Sequence, residues 1–136
     1  VHVLAQDDMP LHWTIDSKER LVTVVAEGKV ARADVEAYLD ALVGAGAIAY
    51  RKLFDGSGAD GTMSGDDMMA LGVAFRGFHA SGPVGPLAIV VPDGNVEPLS
   101  RMLGILAAAD RPMRVFHEVA AARRWIESLP KAEVGK

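Results

Sequence analysis

Leu87-Ala88-Ile89-Val90-Val91 sets five apolar side chains in a row with no polar face between them. A strand with one wet side alternates polar and apolar residues, so a short run without alternation reads as a strand covered on both sides. Such strands belong to parallel sheets, where crossover helices pack on the faces. The neighbouring sequence supplies those crossovers. Upstream, Ser81-Gly82-Pro83-Val84-Gly85-Pro86 breaks the chain, and Met68, Leu71, Phe75 and Phe78 before it form one helical stripe. Downstream, Pro92-Asp93-Gly94-Asn95 turns into a helix carrying Val96, Leu99, Met102, Leu103 and Leu106. Arg111-Pro112 ends that helix. Met113 to Phe116 then predicts a last strand, and Val119, Ala122, Ile126 and Leu129 line a final helix.

The same alternation extends towards the start. Tyr50 to Phe54 predicts a strand ending at Asp55, followed by a glycine-rich loop from Gly56 to Gly65. From residue 31, Val35, Tyr38, Leu39, Leu42 and Val43 mark one helical face, with Asp34 near its start and Gly44 and Gly46 near its end. Before it, Leu11, Trp13 and Ile15 alternate with His12 and Thr14, and Leu21 to Glu27 is rich in β-branched residues and closed by Gly28. The polar break Asp16 to Arg20 joins these two runs as a hairpin. The expected order is β-β-α-β-α-β-α-β-α, an α/β domain with a mostly parallel sheet and an antiparallel N-terminal hairpin. Residues 1–10 read as a loose arm, 11–130 as the domain and 131–136 as a tail.

Composition narrows the function. Of 136 residues, 50% are hydrophobic and 24% charged, the balance of a globular chain. Cysteine is absent, which removes disulfides, thiolate nucleophiles and cysteine-ligated metals. The net charge of −4 argues against a general nucleic-acid binder. No apolar run reaches the length of a membrane span, and Val1 to Pro10 lacks the pattern of a signal peptide, so a cytoplasmic location is the expectation. Charge is uneven: residues 53–100 hold one basic and six acidic side chains, whereas residues 101–136 hold seven basic and four acidic ones.

Several motifs invite chemistry. Gly56-Ser57-Gly58-Ala59-Asp60-Gly61 spells a G-x-G-x-x-G string, but Asp60 would put negative charge in a phosphate cradle. The ribose-binding acid expected at the end of the next strand would fall near Asp93, too far along. Asp55, Ser57, Asp60, Asp66 and Asp67 offer oxygen ligands, yet a calcium loop counted from Asp55 has Asp60 at its sixth position and Asp66 at its twelfth, where glycine and glutamate are needed. The four histidines, His2, His12, His79 and His117, lack metal-ligand spacing, and no serine sits in a G-x-S-x-G elbow. No catalytic, cofactor or metal site is therefore expected. Ser64 with Asp67 reads as a helix cap. Trp125 reads as a core contact, with a partner anchor as the alternative and Arg123 and Arg124 beside it in solvent.

Trp13-Thr14-Ile15-Asp16 with Arg20-Leu21-Val22, Arg51-Lys52-Leu53-Phe54-Asp55, and Met63-Ser64-Gly65 together resemble STAS-type domains, specifically the SpoIIAA-like relatives of anti-sigma-factor antagonists. Met113-Arg114-Val115-Phe116 with Ala121, Ala122, Trp125 and Ile126 extends the likeness over residues 11–129. The resemblance implies a non-enzymatic regulatory domain that binds a protein partner, with a homodimer as an alternative. In the antagonists, a strand ending in aspartate leads to a serine phosphorylated by a partner kinase. Carried over, that places Asp55, Ser64, Asp66 and Asp67 at an interaction or switch site. Thr62 and Met63 stand where the family has Asp and Ser or Thr, and a phosphate on Ser64 would meet Asp66 and Asp67, which disfavours the switch. Some SpoIIAA-like domains also resemble the lipid-binding CRAL-TRIO fold. That likeness implies a carrier of a small apolar ligand, its pocket lined by Met63, Met68, Met69, Phe75, Phe78 and Met102.

Overall fold

The computed structural model describes residues 10–28, 30–59, 77, 84–91 and 113–131. Five strands form one sheet in the order β1 (Leu11–Asp16), β2 (Leu21–Gly28), β3 (Arg51–Ala59), β4 (Leu87–Val90), β5 (Met113–Phe116). β1 and β2 are antiparallel, paired from Leu11↔Ala26 to Asp16↔Leu21, and the remaining pairs are parallel. Two helices are described, α1 (Arg32–Ala45) and α2 (Val119–Ser128). This is the mixed α/β sheet that the sequence predicts, hairpin included. Apart from Gly77, which is helical, the helices expected around residues 66–80 and 95–109 lie outside the described residues.

Each helix takes one face of the sheet. α1 brings Tyr38, Leu39 and Leu42 onto Leu11, Val22, Val24 and Ala26. α2 brings Ala122 and Ile126 onto Leu21, Leu53, Ala88 and Val90 on the opposite face. Consecutive strand residues point to opposite sides, so Leu21 and Val22 belong to different clusters. β4 is covered on both sides, as its unbroken apolar run predicts: Ala88, Ile89 and Val90 are buried, as is Val91 just after the strand, and Leu87 is half-buried. Fully burying an aliphatic side chain such as Ile126 contributes about 1.5–3 kcal/mol, which fixes α2 against β3 and β4.

Ala31 precedes α1 as its cap and has no side-chain acceptor to offer, but Asp34 reaches back to accept the Ala31 N–H at 2.8 Å, one half of a capping box. It ends at Gly46, in the left-handed conformation. One residue departs from the sequence reading of this helix. Val43 is 55% exposed. At 100° per residue it falls beyond the arc spanned by Tyr38, Leu42, Val35 and Leu39, so it clears the sheet.

β3 is the larger correction. The sequence predicts a strand ending at Asp55 and a loop from Gly56, but the strand runs on through Gly56, Ser57, Gly58 and Ala59. Gly56 makes this possible: a Cβ there would stand 2.9 Å from the Val90 carbonyl oxygen, so only a residue without a side chain lets the two strands close up. A bulge falls in the same place. Val25 pairs with Asp55 and Glu27 with Gly58, so β3 spends three steps against two of β2.

Candidate functional site

The two ends of β3 are built in opposite ways. At its start, Arg51 and Lys52 are only 3% and 5% exposed, although both carry charge. Burying an uncompensated charge costs several kcal/mol, so each must be met by an array of acceptors. The strand's alternation sends the two side chains to opposite faces, and backbone carbonyls meet both. Arg51 donates through Nη1 to the Leu129 carbonyl at 3.0 Å, with longer contacts to Glu127 at 3.3 Å and Ile126 at 3.4 Å. Nη2 donates to the Glu19 carbonyl at 2.6 Å. Arg51 thus occupies the C-terminal end of α2, where unpaired carbonyls and the helix dipole favour a cation, and ties it to the β1–β2 turn. Its Nε is buried with no acceptor among the described residues. Lys52 donates from Nζ to the Tyr50 carbonyl at 2.8 Å and to the carbonyls of Ile48 and Val84. It closes the α1–β3 connection onto the segment before β4.

Gly85 completes that closure. Its φ of 89° lies in the region that side chains avoid, and a Cβ would stand 2.3 Å from the Tyr50 carbonyl oxygen. The same carbonyl serves Lys52, so cation and glycine hold one packed junction. Neither Arg51 nor Lys52 is a candidate acid, base or ligand receptor, because carbonyls occupy them. Composition offers a faint signal for both: two basic residues open a strand that is otherwise apolar as far as Phe54.

The other end of β3 has an unpaired edge among the described residues. In parallel α/β sheets the C-terminal ends of the strands are where ligands and partners are met. Asp55 is the described member of the predicted switch set, and it lies at this end. Its Oδ1 accepts the Ser57 N–H at 3.0 Å and the Ser57 hydroxyl at 2.6 Å. That is an Asx turn, which holds the bulge in shape. Among the described residues, the last pair with β4 is Asp55↔Val90, while pairing with β2 continues to Gly28↔Ala59. Ser57 and Gly58 are exposed there, and among the described residues no strand pairs with their β4-side edge. The first glycines of the G-x-G-x-x-G string are therefore strand residues fitted to Val90 and β2, not an anion cradle opening a helix.

Ser64, Asp66 and Asp67, together with Met63, Met68, Met69, Phe75, Phe78 and Met102, lie outside the described residues. His12 is exposed on β1, with Nε2 at 4.0 Å from Glu27, and His117 is exposed where β5 meets α2. Trp125 is half-buried against the second cluster, as a core contact should be. Arg123 reaches Glu127 at 3.4 Å, and Arg124 is exposed. Among the described residues no group of three His, Asp or Glu side chains is placed to hold a metal ion, and no helix is long and apolar enough to cross a membrane.

This architecture has a solved counterpart. It is similar to the crystal structure of an uncharacterized protein of the DUF3478 family from Shewanella loihica PV-4, described as having a SpoIIAA-like fold. The chain has a SpoIIAA-like fold. The two share 20% sequence identity over 85% of this chain and 93% of that one, with a TM-score of 0.59. At that identity the likeness speaks for the fold alone. No protein-family model matches the sequence, and neither does any curated protein.

Proposed function

We propose that this SpoIIAA-like domain is a non-enzymatic interaction module of the cytoplasm, which docks a protein partner at the C-terminal end of β3. The observation that carries the proposal is the overhang of that strand. Among the described residues, β3 runs on beyond its last pair with β4, from Gly56 to Ala59, held on one side by β2 and shaped by the Asp55–Ser57 turn. Among the described residues no strand pairs with that edge, and a strand edge with unpaired backbone donors and acceptors is a ready surface for a partner chain. The polar groups around it support binding over catalysis. Asp55 is engaged by Ser57, and the buried cations of β3 lie at its opposite end, engaged by carbonyls. The acidic balance of residues 53–100 favours a partner with a basic surface.

Site-specific photo-crosslinking tests this directly. A photoreactive amino acid replaces Ser57 in one variant and Lys18, in the β1–β2 turn at the far end of the sheet, in another. In the cells that make the protein, position 57 should give a discrete protein adduct and position 18 none. Equal adducts at both positions, or none at position 57, would refute the docking site.

A further inference from the structure

Trp125 lies on the flank of α2 that faces β5, with its ring 5.9 Å from that of Phe116 at 46°. Arg114, an exposed residue of the edge strand β5, lays its guanidinium over both rings, 5.3 Å from Phe116 and 5.7 Å from Trp125. Among the described residues these rings are the guanidinium's partners, and no carboxylate or carbonyl engages it. Aromatic rings hold a guanidinium by its charge and do not consume its N–H donors as a carboxylate would, so those donors stay available to a ligand. The geometry is that of a preorganised receptor: a flexible cation already ordered by two aromatic rings loses less entropy when an anion arrives.

The charge around it selects the partner. Residues 113–131 carry Arg114, Arg123, Arg124 and Lys131 against Glu118 and Glu127. Glu127 is engaged by Arg123, and Lys131 reaches across to Glu19. Arg114 and Arg124 remain exposed against one further exposed carboxylate, Glu118, which leaves this stretch net positive on a chain whose total charge is −4. An acidic partner is therefore drawn to this face and repelled by much of the rest of the molecule. We infer that the Arg114–Phe116–Trp125 ledge docks an acidic peptide segment of a partner protein. A carboxylate takes the donor edge of Arg114, and the neighbouring apolar side chain lies on Trp125. Tryptophan and arginine are the residue types that dominate interface energetics. The ledge is a different surface from the β3 overhang but lies near it: Phe116 pairs with Val90, which pairs with Asp55, so one strand separates the two.

Nuclear magnetic resonance of the whole chain tests the inference, with a short blocked peptide of glutamates and leucines as the probe. Addition of the peptide should move the Trp125 indole and Arg114 Nε signals and leave the Trp13 indole, on the opposite face, in place. Arg114→Gln should weaken the peptide about fivefold or more, because a charged, bidentate donor is lost. Arg114→Lys should also weaken it, since a point charge lacks the planar fork. Arg124→Gln should weaken the peptide less than Arg114→Gln does, because it removes a screened surface charge and no donor ordered by the rings. An unmoved Trp125 signal, or undiminished affinity in Arg114→Gln with its Trp13 signal intact, overturns the inference. So does a stronger response of the same signals to inorganic phosphate or to phosphatidylserine vesicles than to the peptide.

Discussion

Replacing Arg51 by methionine isolates the largest polar anchor of the fold. The guanidinium makes two short contacts, to the Leu129 carbonyl at 3.0 Å and the Glu19 carbonyl at 2.6 Å, and two longer ones within α2. A hydrogen bond from a charged donor contributes about 1.5–3 kcal/mol net, so the two short contacts alone amount to about 3–6 kcal/mol. Methionine returns part of this, because it restores much of the apolar stem and removes a charge that is costly to bury. The expected destabilisation is about 2–4 kcal/mol, since the carbonyls at the end of α2 lose their donor. Urea denaturation should show a lower midpoint with unchanged slope. Thermal melting should fall by about 8–16 °C at the roughly 4 °C per kcal/mol of a chain this size. Arg51→Lys should lose about half as much, because one ammonium cannot span both the α2 terminus and the β1–β2 turn. Raising the salt concentration should leave the difference intact, since buried contacts are poorly screened. A stability of Arg51→Met within about 0.5 kcal/mol of the parent would refute the reasoning, because that is the range of an ordinary surface substitution.

Gly85→Ala should cost at least about 3 kcal/mol, from a Cβ driven against the Tyr50 carbonyl in a backbone conformation unsuited to it; circular dichroism melts would show it, and a change below about 1 kcal/mol would contradict the junction described. Lys52→Met should cost about 2–3 kcal/mol by the same urea assay, through the carbonyls of Ile48, Tyr50 and Val84. Combined with Gly85→Ala it should fall short of additivity by about 0.5 kcal/mol or more, because both act on one junction, whereas Gly85→Ala with Arg51→Met should come closer to additive.

Much of this fold is legible in the chain, and the reason is periodicity. The hairpin, α1, β4, β5 and α2 each carry an unambiguous apolar pattern, and the structure finds them within about a residue of the expected bounds. β3 is half legible. Leu53 and Phe54 announce a strand, but Gly56-Ser57-Gly58 has neither side chains to alternate nor β-branched residues, and glycine ordinarily signals a loop. What extends the strand is tertiary: the Val90 carbonyl needs a bare Cα opposite it, and only the folded sheet reveals that. Val43 shows the limit of a helical wheel, which gives the direction of a face but not how wide an arc the neighbouring sheet will cover. The site is less legible than the fold. Asp55 is singled out as the end of a strand, and the structure gives it a local task, holding the Ser57 bulge. Arg51 and Lys52 enter the sequence reading only as part of a family resemblance. Their partners are backbone carbonyls up to 78 positions away, which no spacing rule encodes. Arg114, Phe116 and Trp125 likewise lie on two separate elements, and only the packing of α2 on β5 brings them together.

The most direct test of the central claim is the native mass of the protein isolated from its own cells, compared with that of its Ser57→Arg and Lys18→Arg variants. A docking module at the end of β3 should carry protein-sized added mass that is lost on denaturation, missing in Ser57→Arg and retained in Lys18→Arg. An added mass of small-molecule size alone, or an assembly that Ser57→Arg leaves intact, would contradict it.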